Sequence, residues 1–129
     1  FPKKNFKLHG KLNAKEIIKL FNETNLYILP SHIENSPLTL SEAMIMGLPI
    51  IATYSGGIPS RISDETEGIL IQSGDPWSLV GSILEVLEFY DLAVKRGVNA
   101  RNRAIKRHDR EKIVGDLDGI YSKILLLES

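Results

Sequence analysis

Two carboxylates, Glu34 and Glu42, stand with seven residues between them, on either side of the start of a short helix. The intervening Asn35-Ser36-Pro37-Leu38-Thr39 has the composition of a helix entrance. Ser36 is a good N-cap, since its hydroxyl can accept from a backbone N–H two or three residues on, and Pro37 falls where a missing N–H costs nothing. Gly47 closes the helix as the residue best able to adopt the left-handed conformation, which gives a helix over 37–46. The third helical position is Thr39, so no reciprocal capping box occupies the first turn. At least one N–H and the positive end of the helix dipole are thus left open to an anion. A phosphate held there would have an acid on either side, suited to sugar hydroxyls. The residues therefore describe a geometry for a phosphorylated sugar.

The elements that must position these groups follow from periodicity. Leu26–Leu29, Pro49–Thr53 and Gly68–Ile71 are continuous apolar runs, the pattern of strands covered on both faces. Phe6–Gly10 alternates and predicts a further, short edge strand. Asn13, with Glu16 three residues on, starts a helix whose buried face is Ile17, Ile18, Leu20 and Phe21. Asp75-Pro76 opens another helix, with Trp77, Leu79, Val80, Ile83, Leu84 and Leu87 at helical spacing and Trp77 expected in the core. Two more helices are predicted, over about 92–106 and from near Asp109. The last carries Ile113, Leu117, Ile120, Tyr121, Ile124 and Leu125 on one face. Strands separated by helices imply right-handed crossovers and a parallel sheet of about four strands. Ligands bind such sheets outside the carboxyl ends of the strands, so the loops 30–36, 54–59 and 73–75 should gather at one end.

The ordered series of motifs resembles the group 1 (family 4) retaining GT-B glycosyltransferases. ENSPLTLSE resembles their Glu-x7-Glu motif, LYILPSHIE the strand leading into it, EAMIMGLPIIAT the helix and strand after it, and GGIPSRI with EGILI their Gly-Gly loop and next strand. The resemblance spans about 6–126. It implies a Rossmann-like three-layer α/β sandwich that binds a UDP- or GDP-linked sugar and transfers it, with retention, to an acceptor hydroxyl, with no cofactor and no metal. It assigns Glu34 to the donor sugar and Glu42 to the ribose. The backbone of Asn35, Ser36, Pro37, Leu38 and Thr39 goes to sugar and diphosphate, and Gly56 and Gly57 to the same site or to a turn. Asn35 stands where Gly is commoner and Ser60 where Glu is usual, so Ser60 receives no role. In such enzymes two earlier strands with a Gly-containing loop and basic diphosphate ligands precede this region, and an N-terminal domain binds the acceptor glycan or lipid-linked sugar. The 129 residues, starting at Phe1, are therefore expected to be one nucleotide-sugar-binding domain lacking both, inactive alone and inclined to self-associate through exposed edges.

Composition bounds the alternatives. The apolar and charged fractions, 43% and 25%, are those of an ordinary globular chain, and zero formal charge gives no general attraction to nucleic acid. The absence of cysteine excludes disulfides and thiolate metal sites and fits a cytoplasmic protein, with peripheral attachment to the inner membrane face left open for the full-length protein. His32 is set aside as structural, and the basic run Arg101, Arg103, Lys106, Arg107, Arg110 and Lys112 as a solvated helix face. A GT-B-like sugar-nucleotide epimerase or phosphorylase, and a non-catalytic interaction module, remain the alternative readings.

Overall fold

The computed structural model describes residues 5–127. β2 (Ile50–Thr53) is the centre of the fold, and all four of its residues are buried. It pairs in parallel with β1 (Tyr27–Leu29) on one side and β3 (Ile69–Ile71) on the other, giving the order β1-β2-β3. Successive side chains of a strand point to opposite faces. Ile50 and Ala52 accordingly join Phe21, Leu40, Ala43, Met44 and Leu48 on one face, while Ile51 joins Ile71, Val86 and Ala93 on the other.

Helices cover both faces. α1 (Ala14–Asn22) and α2 (Leu38–Met46) lie on the first, and α3 (Pro76–Glu88) on the second. α4 (Tyr90–Arg107) serves both, placing Ala93 in one cluster and Ala100 and Ala104 in the other. α5 (Arg110–Leu127) has no buried residue. The architecture is the expected α/β sandwich with a parallel sheet, though of three strands. Phe6–Gly10 forms no strand: Phe6 and Leu8 are exposed, and no neighbouring strand among the described residues offers backbone partners.

Local signals account for three of the helix ends. Asn13 Oδ1 accepts from the N–H groups of Lys15 and Glu16, and Glu16 Oε2 accepts from Asn13 N at 2.8 Å, completing a capping box. Asp75 caps α3 through the N–H groups of Trp77 and Ser78. Gly47 takes φ +74° and ends α2. Trp77 is 82% exposed rather than in the core. The helix carries two apolar arcs, and only the one with Leu79, Ile83 and Val86 meets the sheet.

The basic run is exposed except for Arg103, as expected of a solvated face, but three of its arginines are engaged. Arg103 Nη1 donates to Ser63 Oγ at 2.6 Å and pairs with Glu67 at 2.8 Å. Arg107 Nη1 donates to the Ser60 carbonyl at 2.9 Å, and Arg101 Nη1 to that of Ile45 at 2.8 Å. These arginines tie α4 to the 60–67 segment and to the end of α2. Between α4 and α2 the backbones nearly touch: a Cβ at Gly97 would lie 2.4 Å from the Gly47 carbonyl oxygen. Gly97→Ala is expected to destabilise the fold by about 1–3 kcal/mol through overpacking. Gly81→Ala, mid-helix in α3 with nothing within 4 Å, should stabilise it by about 0.5–1 kcal/mol. Urea unfolding midpoints of the two variants would check both signs.

Candidate active site

The loops after the three strands meet at one end of the sheet, and the loop after β1 (30–37) is the one that carries Glu34. It is held from behind, step by step, by the end of β2 and the residues just beyond it. Thr53 Oγ1 donates to the Ser31 carbonyl at 2.6 Å, Ser55 Oγ to that of His32 at 2.9 Å, and Gly57 N to that of Glu34 at 3.2 Å. The two glycines come closest. A Cβ on Gly56 would stand 1.5 Å from the Glu34 carbonyl oxygen, and one on Gly57 1.8 Å from that of Asn35. Gly56 also has φ +50°, a conformation that side chains disfavour. The Gly-Gly pair is therefore the surface on which the Glu34–Asn35 backbone rests, beyond any role as a turn.

The helix entrance differs in one respect from the expectation. α2 begins at Leu38, with buried Pro37 in the N-cap position and no side-chain cap. Ser36 does not cap, and its hydroxyl accepts instead from the Arg61 guanidinium. No side-chain oxygen claims the first-turn N–H groups, and Leu38 and Thr39 lie exposed. The mouth of the helix is thus open, with Asn35 and Ser36 also at the surface.

Glu34 is half-buried, and its Oε1 accepts from the N–H of Asn35 at 3.1 Å. Glu42 is exposed, although its apolar neighbours suggest little open face. The reason is that Leu40, Ser41, Ala43 and Met44 turn inward, which leaves Leu38, Thr39, Glu42 and Ile45 on the outer side. Glu42 thereby shares the face of the open first turn. It also borders a groove of about 240 Å³ between α1 and α2, otherwise walled by Ala14, Ile17, Ile18, Phe21, Ile45 and Met46.

Periodicity does not single out Tyr27. Its hydroxyl donates to Thr39 Oγ1 at 2.9 Å, reaching from β1 to the first turn of α2. Burial pushes the phenol above its ordinary pKa, the Thr39 hydrogen bond opposes this, and the charges of Glu42 and Glu34 add to the rise. Both acids therefore act on one phenol, which keeps the proton that it donates to Thr39. The side-chain type alone marks Tyr27 only as part of an apolar run.

Beside this entrance, a cavity of about 290 Å³ opens over the strand ends, lined by Pro30, His32, Thr53, Ile71, Gln72 and Asp75, among others. His32 Nδ1 lies 3.1 Å from Ser73 Oγ. Hydrogen bonds from the Ser78 side chain and backbone hold the Asp75 carboxyl below the usual carboxylate range, and capping occupies it. The N-terminus of α3 is closed in this way, whereas that of α2 is not.

The chain is similar in sequence and in fold to known proteins. The family described as "Glycosyl transferases group 1" matches residues 1–103. The chain belongs to that family. It is 32% identical over 109 residues to N-acetyl-alpha-D-glucosaminyl L-malate synthase of Bacillus anthracis, covering 84% of this chain and 29% of that protein. Among solved structures, sucrose-phosphate synthase of Thermosynechococcus elongatus superposes with a TM-score of 0.82 at 25% identity, over 94% of this chain and 30% of that one. Anabaena HepE, solved with UDP, gives a TM-score of 0.78 at 24% identity, over 86% of this chain and 30% of that one. This group 1 chain thus spans under a third of the length of each of these three.

The close glycine contacts generate a test. Gly56→Ala combines a left-handed conformation with a backbone collision, and is expected to destabilise the chain by about 2–4 kcal/mol, measured by chemical denaturation. A loss below about 0.5 kcal/mol would show that the two loops are not in contact in solution.

Proposed function

We propose that this chain is the donor-binding part of a retaining glycosyltransferase that moves a sugar from a nucleoside diphosphate to an acceptor hydroxyl. The observation that carries the reading is the uncapped N-terminus of α2, flanked by Glu34 in the preceding loop and Glu42 on the outer face of its second turn. The presence of UDP in the HepE structure supports a nucleotide donor. UDP-glucose in a second structure of the same protein supports a sugar nucleotide.

In this reading the N–H groups of Leu38 and Thr39 and the positive end of α2 face the diphosphate. As the bond from the anomeric carbon to the diphosphate oxygen breaks, its electron pair passes to the diphosphate, and those dipoles stabilise the charge that develops. The acceptor oxygen bonds the anomeric carbon on the face that was vacated, and its proton passes to the departing diphosphate oxygen. Glu42 accepts from the two ribose hydroxyls, a task that suits an ionised carboxylate with two oxygens. Glu34 accepts from hydroxyls of the sugar and orients it, while Gly56 and Gly57 support the Glu34–Asn35 backbone. The work is positioning and electrostatics. The acceptor, a glycan or lipid-linked sugar, belongs to a part of the relatives that this chain does not span, and these 129 residues alone would bind donor without turning it over.

The wide apolar exposure of α3 and α5, with Trp77, Val80, Leu84 and Leu87 along one helix, favours a second reading as a protein-interaction module or a self-associating unit. Nucleotide binding separates the two. In the full-length protein, Glu42→Ala should weaken UDP or GDP binding by tenfold or more in a calorimetric titration, as expected for a charged hydrogen bond of about 1.5–3 kcal/mol. Equal affinities for wild type and variant would remove Glu42 from the site, and no binding by either would leave the interaction module.

A further inference from the structure

Arg61 lies in the segment after the Gly-Gly loop, between the buried residues Ile58 and Ile62 that anchor it in the core. Its backbone N–H donates to the Ile58 carbonyl at 2.9 Å, which holds the short 3₁₀ turn Ile58–Ser60 closed behind it. Immediately before it, Ser60 is fixed from two directions. Its Oγ donates to the Gly57 carbonyl at 2.8 Å, and its own carbonyl accepts from Arg103 and Arg107 of α4. The root of the Arg61 side chain is therefore immobilised by elements remote from the helix entrance.

The far end of the side chain reaches that entrance. Nη1 donates to Ser41 Oγ at 2.8 Å, and Nη2 to Ser36 Oγ. Ser41 is a buried residue in the second turn of α2, and Ser36 an exposed one just before it. A single planar fork thus joins the loop before the helix to the body of the helix, across the N-cap residue Pro37 that makes no side-chain cap of its own. A guanidinium suits such a task, because two of its donors leave in a fixed direction. Arg61 forms no ion pair among the described residues: the Arg96–Glu85 and Arg103–Glu67 pairs lie elsewhere. Its charge is spent on two neutral hydroxyls.

We propose that Arg61 is a positioning residue for the nucleotide donor, setting the path of Asn35–Leu38 and hence the direction of the first-turn N–H groups through Ser36 and Ser41. This role rests on the donor-binding reading and adds to it a residue outside the two-carboxylate motif. Ser36 makes no cap to α2, and the first-turn N–H groups stand open to a ligand while Arg61 holds the Ser36 side chain from the other side.

The test is equilibrium binding of UDP to the full-length protein, comparing wild type, Arg61→Ala, Arg61→Lys, Ser41→Ala, the Arg61→Ala/Ser41→Ala double variant and Glu42→Ala, with thermal unfolding of each as a control. Arg61→Ala should weaken UDP about tenfold with its unfolding midpoint little changed. Ser41→Ala, which alters no proposed donor contact, should weaken it several-fold, and the double variant no more than Arg61→Ala alone, as for two residues acting as a unit. Arg61→Lys should recover part of the affinity. In the transferase reaction, the donor KM should rise and kcat at saturating donor should fall as well, because the N–H groups that Arg61 directs also stabilise the charge developing on the diphosphate. Wild-type affinity in Arg61→Ala, alongside a loss in Glu42→Ala, would overturn the role of Arg61 and keep the donor site. Affinity losses in Arg61→Ala and Ser41→Ala that simply multiply in the double variant would also overturn it. A wild type that binds no nucleotide would remove both the role and the reading beneath it.

Discussion

The approach of the Gly56–Gly57 backbone to the carbonyls of Glu34 and Asn35 is the contact on which the arrangement of this molecule's entrance depends. Two loops from neighbouring parallel strands are brought to a distance that no Cβ can enter. The contact joins the loop after β1 to the loop after β2, so that the carboxylate-bearing segment is held at the backbone, while its side chains remain free to face outward. Thr53 and Ser55 extend the same attachment back to the strand ends. The order of hydroxyl, hydroxyl and amide donors along 53–57 thus matches the order of carbonyls along 31–34.

Beneath this lies a second constraint, the fit of α4 against the rest. Its stripe of Ala93, Gly97, Ala100 and Ala104 is small enough to let the helix run close to the end of α2 and to touch both core clusters. Its arginines then reach over the 60–67 segment to fix Ser60. Within what looks in the sequence like a basic face, Arg103 and Arg107 connect α4 to the loop behind the entrance. The group 1 match, over residues 1–103, covers the strands, the two loops and most of α4.

Much of this was legible from residue order. Continuous apolar runs identified the three strands, of which only the central one is buried throughout, Asn13 with Glu16 and Asp75 with Pro76 identified two helix starts, and Gly47 a helix end. What escaped was of two physical kinds. Some features depend on partners far apart in sequence: Ser36 has the composition of a cap, but a guanidinium 25 residues away takes its hydroxyl. Likewise Phe6–Gly10 has strand periodicity, yet a strand exists only when another offers it hydrogen bonds. Others depend on which of two equivalent faces is covered. Helical spacing put Trp77 and Leu79 on an apolar helix but could not say that only Leu79 meets the sheet, nor that Glu42 turns outward from its apolar neighbours.

The attachment of the Glu34 loop has an entropic consequence. A loop of exposed polar residues ordinarily loses conformational freedom when a ligand orders it, at a cost of about 0.5–1.5 kcal/mol for each side chain immobilised, and binding is weaker by that amount. Here the ordering of residues 31–36 is tied to the folding of the domain, because the donors that hold their carbonyls lie in and just after the central strand. A ligand that met this entrance would meet a backbone already shaped, and the ordering cost left to it would fall on exposed side chains such as Asn35 and Glu42.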